Sequence, residues 1–119
     1  MFREILTRIV DETQGGLGAV LMGYDGIAVD QYFASEESLD VQTVAVEYAS
    51  VLKEIQKTAD ILNLGAMEEV AIRTDRLIIL LRMLKDDYFV ALLLDRKGNF
   101  GRARYLLRRE RYSLIEALG

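Results

Sequence analysis

The stretch Met67 to Asp95, MEEVAIRTDRLIILLRMLKDDYFVALLLD, decides the fold. Three strand-like runs fill it, Met67 to Thr74, Leu77 to Leu84 and Tyr88 to Asp95, separated by Asp75-Arg76 and by Lys85-Asp86-Asp87. Both separators have hairpin length, so the three runs pair antiparallel in chain order. The first run alternates polar and apolar residues and suits a sheet edge. The other two are apolar on both faces and belong in a sheet covered above and below.

Upstream, Leu17 to Gly23 is again apolar on both faces, Tyr24-Asp25-Gly26 supplies a hairpin turn, and Ile27 to Phe33 alternates. Hairpins join strands one to two, three to four and four to five, with strands two and three at the edges. The simple order that satisfies this is 2-1-5-4-3. Residues 2 to 13 place Phe2, Ile5, Leu6, Ile9 and Val10 at helical spacing, and Gly15-Gly16 stop that helix. Ser35-Glu36-Glu37-Ser38 offer N-caps for a long helix from about Leu39 to Leu62. Its stripe of Val41, Ala45, Tyr48, Leu52, Ile55, Ala59 and Leu62 predicts burial along its whole length. Phe100 to Leu118 forms the last helix, with Phe100, Ala103, Leu107, Leu114 and Leu118 on one side. The expectation is a single α/β domain over 1–119, of the α+β kind. A five-stranded, mainly antiparallel sheet carries the long helix on one face and the two terminal helices on the other.

The chain has 119 residues and no proline, cysteine, histidine or tryptophan. Disulfides, Cys/His zinc sites, haem ligation, thiol nucleophiles and Ser-His or Cys-His pairs are thereby excluded. What remains is carboxylate, lysine or tyrosine chemistry, or none; no residue stands out as a credible catalytic group, and no cofactor or metal is expected. Residues 1 to 60 carry four basic and eleven acidic side chains, and residues 61 to 119 carry eleven basic and eight acidic. The net charge of -4 argues against a general nucleic-acid binder. No apolar stretch is long enough for a signal peptide or a membrane span, so a cytoplasmic protein without membrane insertion is expected.

Gly15-Gly16-Leu17-Gly18-Ala19-Val20-Leu21-Met22 followed by Asp25-Gly26-Ile27, the long helix after an acidic loop, and Phe100-Gly101-Arg102-Ala103-Arg104-Tyr105-Leu106 opening the last helix resemble the roadblock family. That family includes dynein light chains and the bacterial gliding regulator MglB. The resemblance implies a profilin-like α+β fold and homodimers formed by joining sheets edge to edge. For bacterial MglB-like members it implies binding of a small Ras-like GTPase and promotion of GTP hydrolysis as a non-enzymatic scaffold. The sequence ends with the last helix, so the C-terminal extension that some such regulators carry contributes nothing to this reading. The alternative is a dimeric structural adaptor that tethers a larger complex without affecting nucleotide turnover.

Gly15-Gly16 with Gly18 precedes a strand and lacks a following Lys-Ser/Thr, so it reads as a turn, not a phosphate loop. Asp86-Asp87 and Glu36-Glu37 lack the spacing of calcium ligands. Arg102, Arg104, Arg108, Arg109 and Arg111 read as the solvated face of a helix, with Arg104 and Arg111 lying against the sheet and Arg108 and Arg109 freely exposed. The outer face of the middle helix, centred on Val46, Ser50, Lys53 and Lys57, is the expected partner-binding surface. The third strand is the expected dimer interface. A two-fold axis through Ala71 sets Glu69 opposite Arg73 and Val70 opposite Ile72, a self-complementary register.

Overall fold

The structure, a computed structural model, describes residues 1–34, 40–85 and 87–119. The elements are α1 (Phe2–Asp11), β1 (Gly16–Gly23), β2 (Ala28–Phe33), α2 (Val41–Ile61), β3 (Glu69–Arg73), β4 (Leu77–Met83), β5 (Tyr88–Asp95) and α3 (Phe100–Leu118). The proposed caps Ser35 to Ser38 and the acidic residue Asp86 lie outside the described residues. The sheet order is β2-β1-β5-β4-β3, and every neighbouring pair is antiparallel. This is the order that the hairpin lengths and the two-sided strands predict.

Helices α1 and α3 cover one face of the sheet. Leu6, Ile9, Leu106 and Leu107 pack there on Leu21, Leu80, Val90 and Leu92. Helix α2 covers the other face, where Val41, Ala45, Ala49 and Leu52 meet Val20, Met22, Leu81, Phe89 and Leu93. Leu80 and Leu92 have no exposed surface, and truncating such a side chain to alanine costs about 2 to 5 kcal/mol. No helix among the described residues is long and apolar enough to cross a membrane.

Two of the glycines that close contacts require fix how the elements meet. Gly15 has φ +84, and a Cβ there would stand 2.5 Å from the Cα of Gly98, where the α1–β1 and β5–α3 loops press together. The loops are joined by Asp95 N–H donating to Gly15 O at 2.8 Å and Asn99 N–H donating to Gln14 O at 2.8 Å. At Gly18 a Cβ would stand 2.7 Å from Val41 Cγ2, so the first turn of α2 sits directly on β1.

Two expectations need correction. Strand β3 is shorter than Met67 to Thr74, because the Met67 N–H is taken by Gln56 Oε1 at 3.0 Å and Thr74 already belongs to the turn. The stripe of α2 is buried only through Leu52. Beyond it Ile55 is 38% and Leu62 59% exposed, and Ile61 and Leu64 are exposed too; Val51, off the stripe beside Leu52, is also exposed. The periodicity is real, but a 21-residue helix spans about 31 Å at 1.5 Å per residue. It outruns the part of its own sheet that can cover it.

Candidate partner-binding surfaces

Asp40 caps α2. Its Oδ1 accepts from Gln42 N–H at 2.9 Å, and its Oδ2 accepts from the Thr43 hydroxyl at 2.8 Å. The cap therefore comes from Asp40, the residue just inside the predicted start of the helix. The residues Val46, Ser50, Lys53 and Lys57 are all exposed and follow one another by four, three and four, so they form a single strip along α2. At its N-terminal end Asp40, Gln42, Thr43, Val46 and Glu47 line a shallow depression of about 290 Å³. The strip is acidic at that end and basic at Lys53 and Lys57.

A second strip escaped the sequence reading. Val51, Ile55 and Leu62 lie about 140° around the helix from the first strip at 3.6 residues per turn. A Cβ on Gly26, in the β1–β2 turn, would stand 3.8 Å from Val46 Cγ1. The Val46 strip thus flanks the β2 side of the sheet. The Val51 flank is turned the other way, toward the β3 edge, and it is bare apolar surface of the kind that interfaces cover.

At that edge Glu68 O accepts from Met83 N–H at 2.9 Å, and Thr74 N–H donates to Leu77 O at 2.9 Å. Residues of even number in this strand therefore direct their backbone groups to β4. By the alternation of an antiparallel ladder, Glu69, Ala71 and Arg73 direct theirs outward. Val70 and Ile72 are half-buried on the α2 side. On the opposite side Glu69 is held within its own chain, with Arg104 Nε at 2.9 Å and Arg82 Nη1 at 3.8 Å. The Arg73 guanidinium lies 5.4 Å from the centre of the Phe100 ring. Glu69 and Arg73 thus enter any strand pairing already oriented by neighbours.

The basic helix α3 is largely neutralised. Arg104 binds Glu69, and Arg111 Nε donates to Met83 O at 3.1 Å, so both lie against the sheet as expected. Arg108 is exposed. Arg109 is not free: it bonds Glu110 at 2.9 Å and Glu12 at 3.5 Å. Glu110 is buried and also accepts from Arg8 Nη2 at 2.8 Å. Burial pushes the Glu110 carboxyl up, but the hydrogen bonds from Arg8 and Arg109 outweigh it and hold the carboxyl below the ordinary glutamate range. This cluster ties the end of α1 to α3. Its signal was present, since Glu110 shares the apolar spacing of Ala103, Leu107 and Leu114. No group of acidic residues that could hold a metal occurs among the described residues.

Known structures support the same architecture. MglC from Myxococcus xanthus is 34% identical, with 98% of each chain covered and a TM-score of 0.70. The chain belongs to the roadblock family. Two further roadblock-type structures share the fold. MglB in a tetrameric arrangement is 19% identical, covering 95% of this chain and 84% of that one at a TM-score of 0.84. The Roadblock/LC7 domain from Streptomyces avermitilis is 14% identical, covering 94% and 96% at a TM-score of 0.75. No sequence-family profile matches the chain, and no curated protein sequence matches it. As a roadblock domain the chain presents the open edge of β3, the apolar flank of α2 beside it and the mixed outer strip of α2.

Proposed function

We propose that the protein is a noncatalytic, cytoplasmic homodimer that binds a small Ras-like GTPase through the outer strip of α2 and promotes hydrolysis of its GTP. The observation that carries the dimer is the adjacency of an open strand edge and an uncovered apolar flank. Glu69, Ala71 and Arg73 offer unpaired backbone groups, which invite another strand. A two-fold axis through Ala71 pairs outward residues with outward residues, Glu69 with Arg73 and Ala71 with itself, so the register agrees with the hydrogen-bond parity. The partner then approaches the side of α2 that carries Val51, Ile55 and Leu62. Self-association also agrees with the tetrameric arrangement in which MglB has been seen.

The GTPase-binding part rests on kinship with MglC and MglB and on the exposed strip of Val46, Ser50, Lys53 and Lys57. An apolar anchor among small and basic neighbours fits a partner surface, because binding energy concentrates in a few central contacts. Arg104, Arg109 and Arg111 are held on α3 by Glu69, Glu110 and the Met83 carbonyl, and a helix-borne arginine is poorly placed to project into a partner's site, so the protein would act by ordering the catalytic loops of the GTPase itself. Titration calorimetry against Ras-like GTPases of the same organism, loaded with GDP or a slowly hydrolysed GTP analogue, tests the proposal. Val46→Asp, or Lys53→Glu with Lys57→Glu, should weaken binding by about 2 kcal/mol, roughly 30-fold, with the fold intact. If these variants bind like the wild type while Arg108→Glu abolishes binding, the site belongs to α3. If binding persists without any stimulation of hydrolysis, the protein is an adaptor.

A further inference from the structure

We infer that the free edge of β2 is a second strand-pairing surface for another copy of this chain, held shut by the carboxylate of Asp30. The inference rests on the dimer reading, which leaves β2 at both ends of a joined sheet. Ala34 N–H donates to Leu17 O at 2.9 Å, and Tyr32 stands opposite Ala19. By ladder alternation Tyr32 and Ala34 face β1, and Gln31 and Phe33 turn their backbone groups outward. At β3 the outward N–H groups have no side-chain acceptor among the described residues. At β2 the outward Gln31 N–H is occupied by Asp30 Oδ1 at 2.8 Å. Arg3 of α1 fixes that same oxygen at 3.0 Å. Burial pushes the Asp30 carboxyl up, but the Gln31 N–H and Arg3 more than offset this, so the guard stays charged well below neutrality. A register shift opposite Leu21 and Met22 adds a bulge at Val29, another feature that discourages pairing at an edge.

Beneath the guard the strand is built to pair. Val29 and Phe33 are 41% and 42% exposed. A two-fold axis through Gln31 would bring Phe33 of each copy beside the bulged Val29 of the other, an apolar contact on each side of the axis. In that register the two Asp30 carboxylates flank the axis, so they block the central hydrogen bond and repel one another. Without them, pairing through β2 and through β3 would both be available, and growth would have no closed end point.

Light scattering on four chains across a micromolar concentration series tests this: wild type, Asp30→Ala, Ala71→Pro and the double variant. Ala71→Pro removes only an outward N–H and blocks the β3 edge. The wild type should stay at two chains and Ala71→Pro at one. Asp30→Ala should grow with concentration to at least twice the wild-type mass, and the double variant should stop at two chains joined through β2. Adding Phe33→Lys to Asp30→Ala should restore the wild-type mass. Arg3→Ala, which loosens the guard without touching the core, should show smaller growth in the same direction. A wild-type mass for both Asp30→Ala and Arg3→Ala at native circular dichroism would overturn the inference, as would growth that persists with Phe33→Lys. If Ala71→Pro keeps the wild-type mass, the β3 reading fails instead, and the behaviour of Asp30→Ala still decides the role of β2.

Discussion

Val51→Lys isolates the contribution of the α2 flank to dimerisation. Val51 is 44% exposed in the single chain, which leaves about 65 Å² of apolar side chain for a partner to cover, or about 1.5 kcal/mol at 25 cal/mol per Å². A symmetric dimer covers the residue twice, so about 3 kcal/mol is at stake, roughly a 100-fold change in dissociation constant. The monomer should not suffer. Lysine is a good helix former, it stands four residues after Glu47, and a Glu-to-Lys pair at that spacing stabilises an exposed helix by a few tenths of a kcal/mol. Sedimentation velocity over a dilution series would read the dissociation constant, and urea unfolding of the dilute variant would confirm the intact monomer. A dissociation constant within threefold of the wild type would show that this flank faces water in the dimer, and the placement of the partner beside it would be wrong.

Glu110→Ala should destabilise the protein by about 1 to 2 kcal/mol at pH 7, less than a fully buried pair would cost, because Arg8 and Arg109 can turn back to solvent. The folded-state pKa of Glu110 lies below its unfolded value, so its contribution is complete above the ordinary glutamate range and is lost as pH falls below that range through the folded value. Urea midpoints of wild type and variant should therefore begin to converge as pH falls below roughly 4. Gly15→Ala should cost about 2 kcal/mol or more, since it combines a left-handed φ with a backbone clash at Gly98; an unchanged thermal midpoint would contradict this. The purified protein alone should release no phosphate from GTP, and turnover that survives rigorous removal of contaminating GTPases would refute the noncatalytic reading.

The strand order was legible because hairpin lengths and one-sided or two-sided apolar patterns are local properties that the sheet merely assembles. Leu77 to Met83 and Tyr88 to Asp95 needed no long-range information. The burial of α2 was only half legible. Periodicity reports which side of a helix is apolar, but it cannot say that the covering sheet ends near Leu52. The salt-bridged cluster was half legible for another reason: Glu110 stands at an apolar-face position, which signals a buried carboxylate, but its partner does not show locally. Glu110 finds Arg8 across 102 residues of chain, a pairing that no local pattern encodes. The guard at β2 combines both difficulties, since Asp30 looks like an ordinary outward residue of an alternating strand until Arg3 of α1 is brought to it.

The central claim, that two chains join through β3 about Ala71, is met most directly by a disulfide. The chain contains no cysteine, so Ala71→Cys introduces one thiol per protomer. In the stated register the two Cα atoms lie about 5.5 Å apart, within disulfide reach. Mild oxidation should convert Ala71→Cys almost wholly to a covalent dimer on non-reducing gels, while Gln31→Cys, on the axis that pairing through the other edge would use, stays monomeric under the same conditions. Failure of Ala71→Cys to cross-link, with ready cross-linking of Gln31→Cys, would place the interface on β2 and contradict the account.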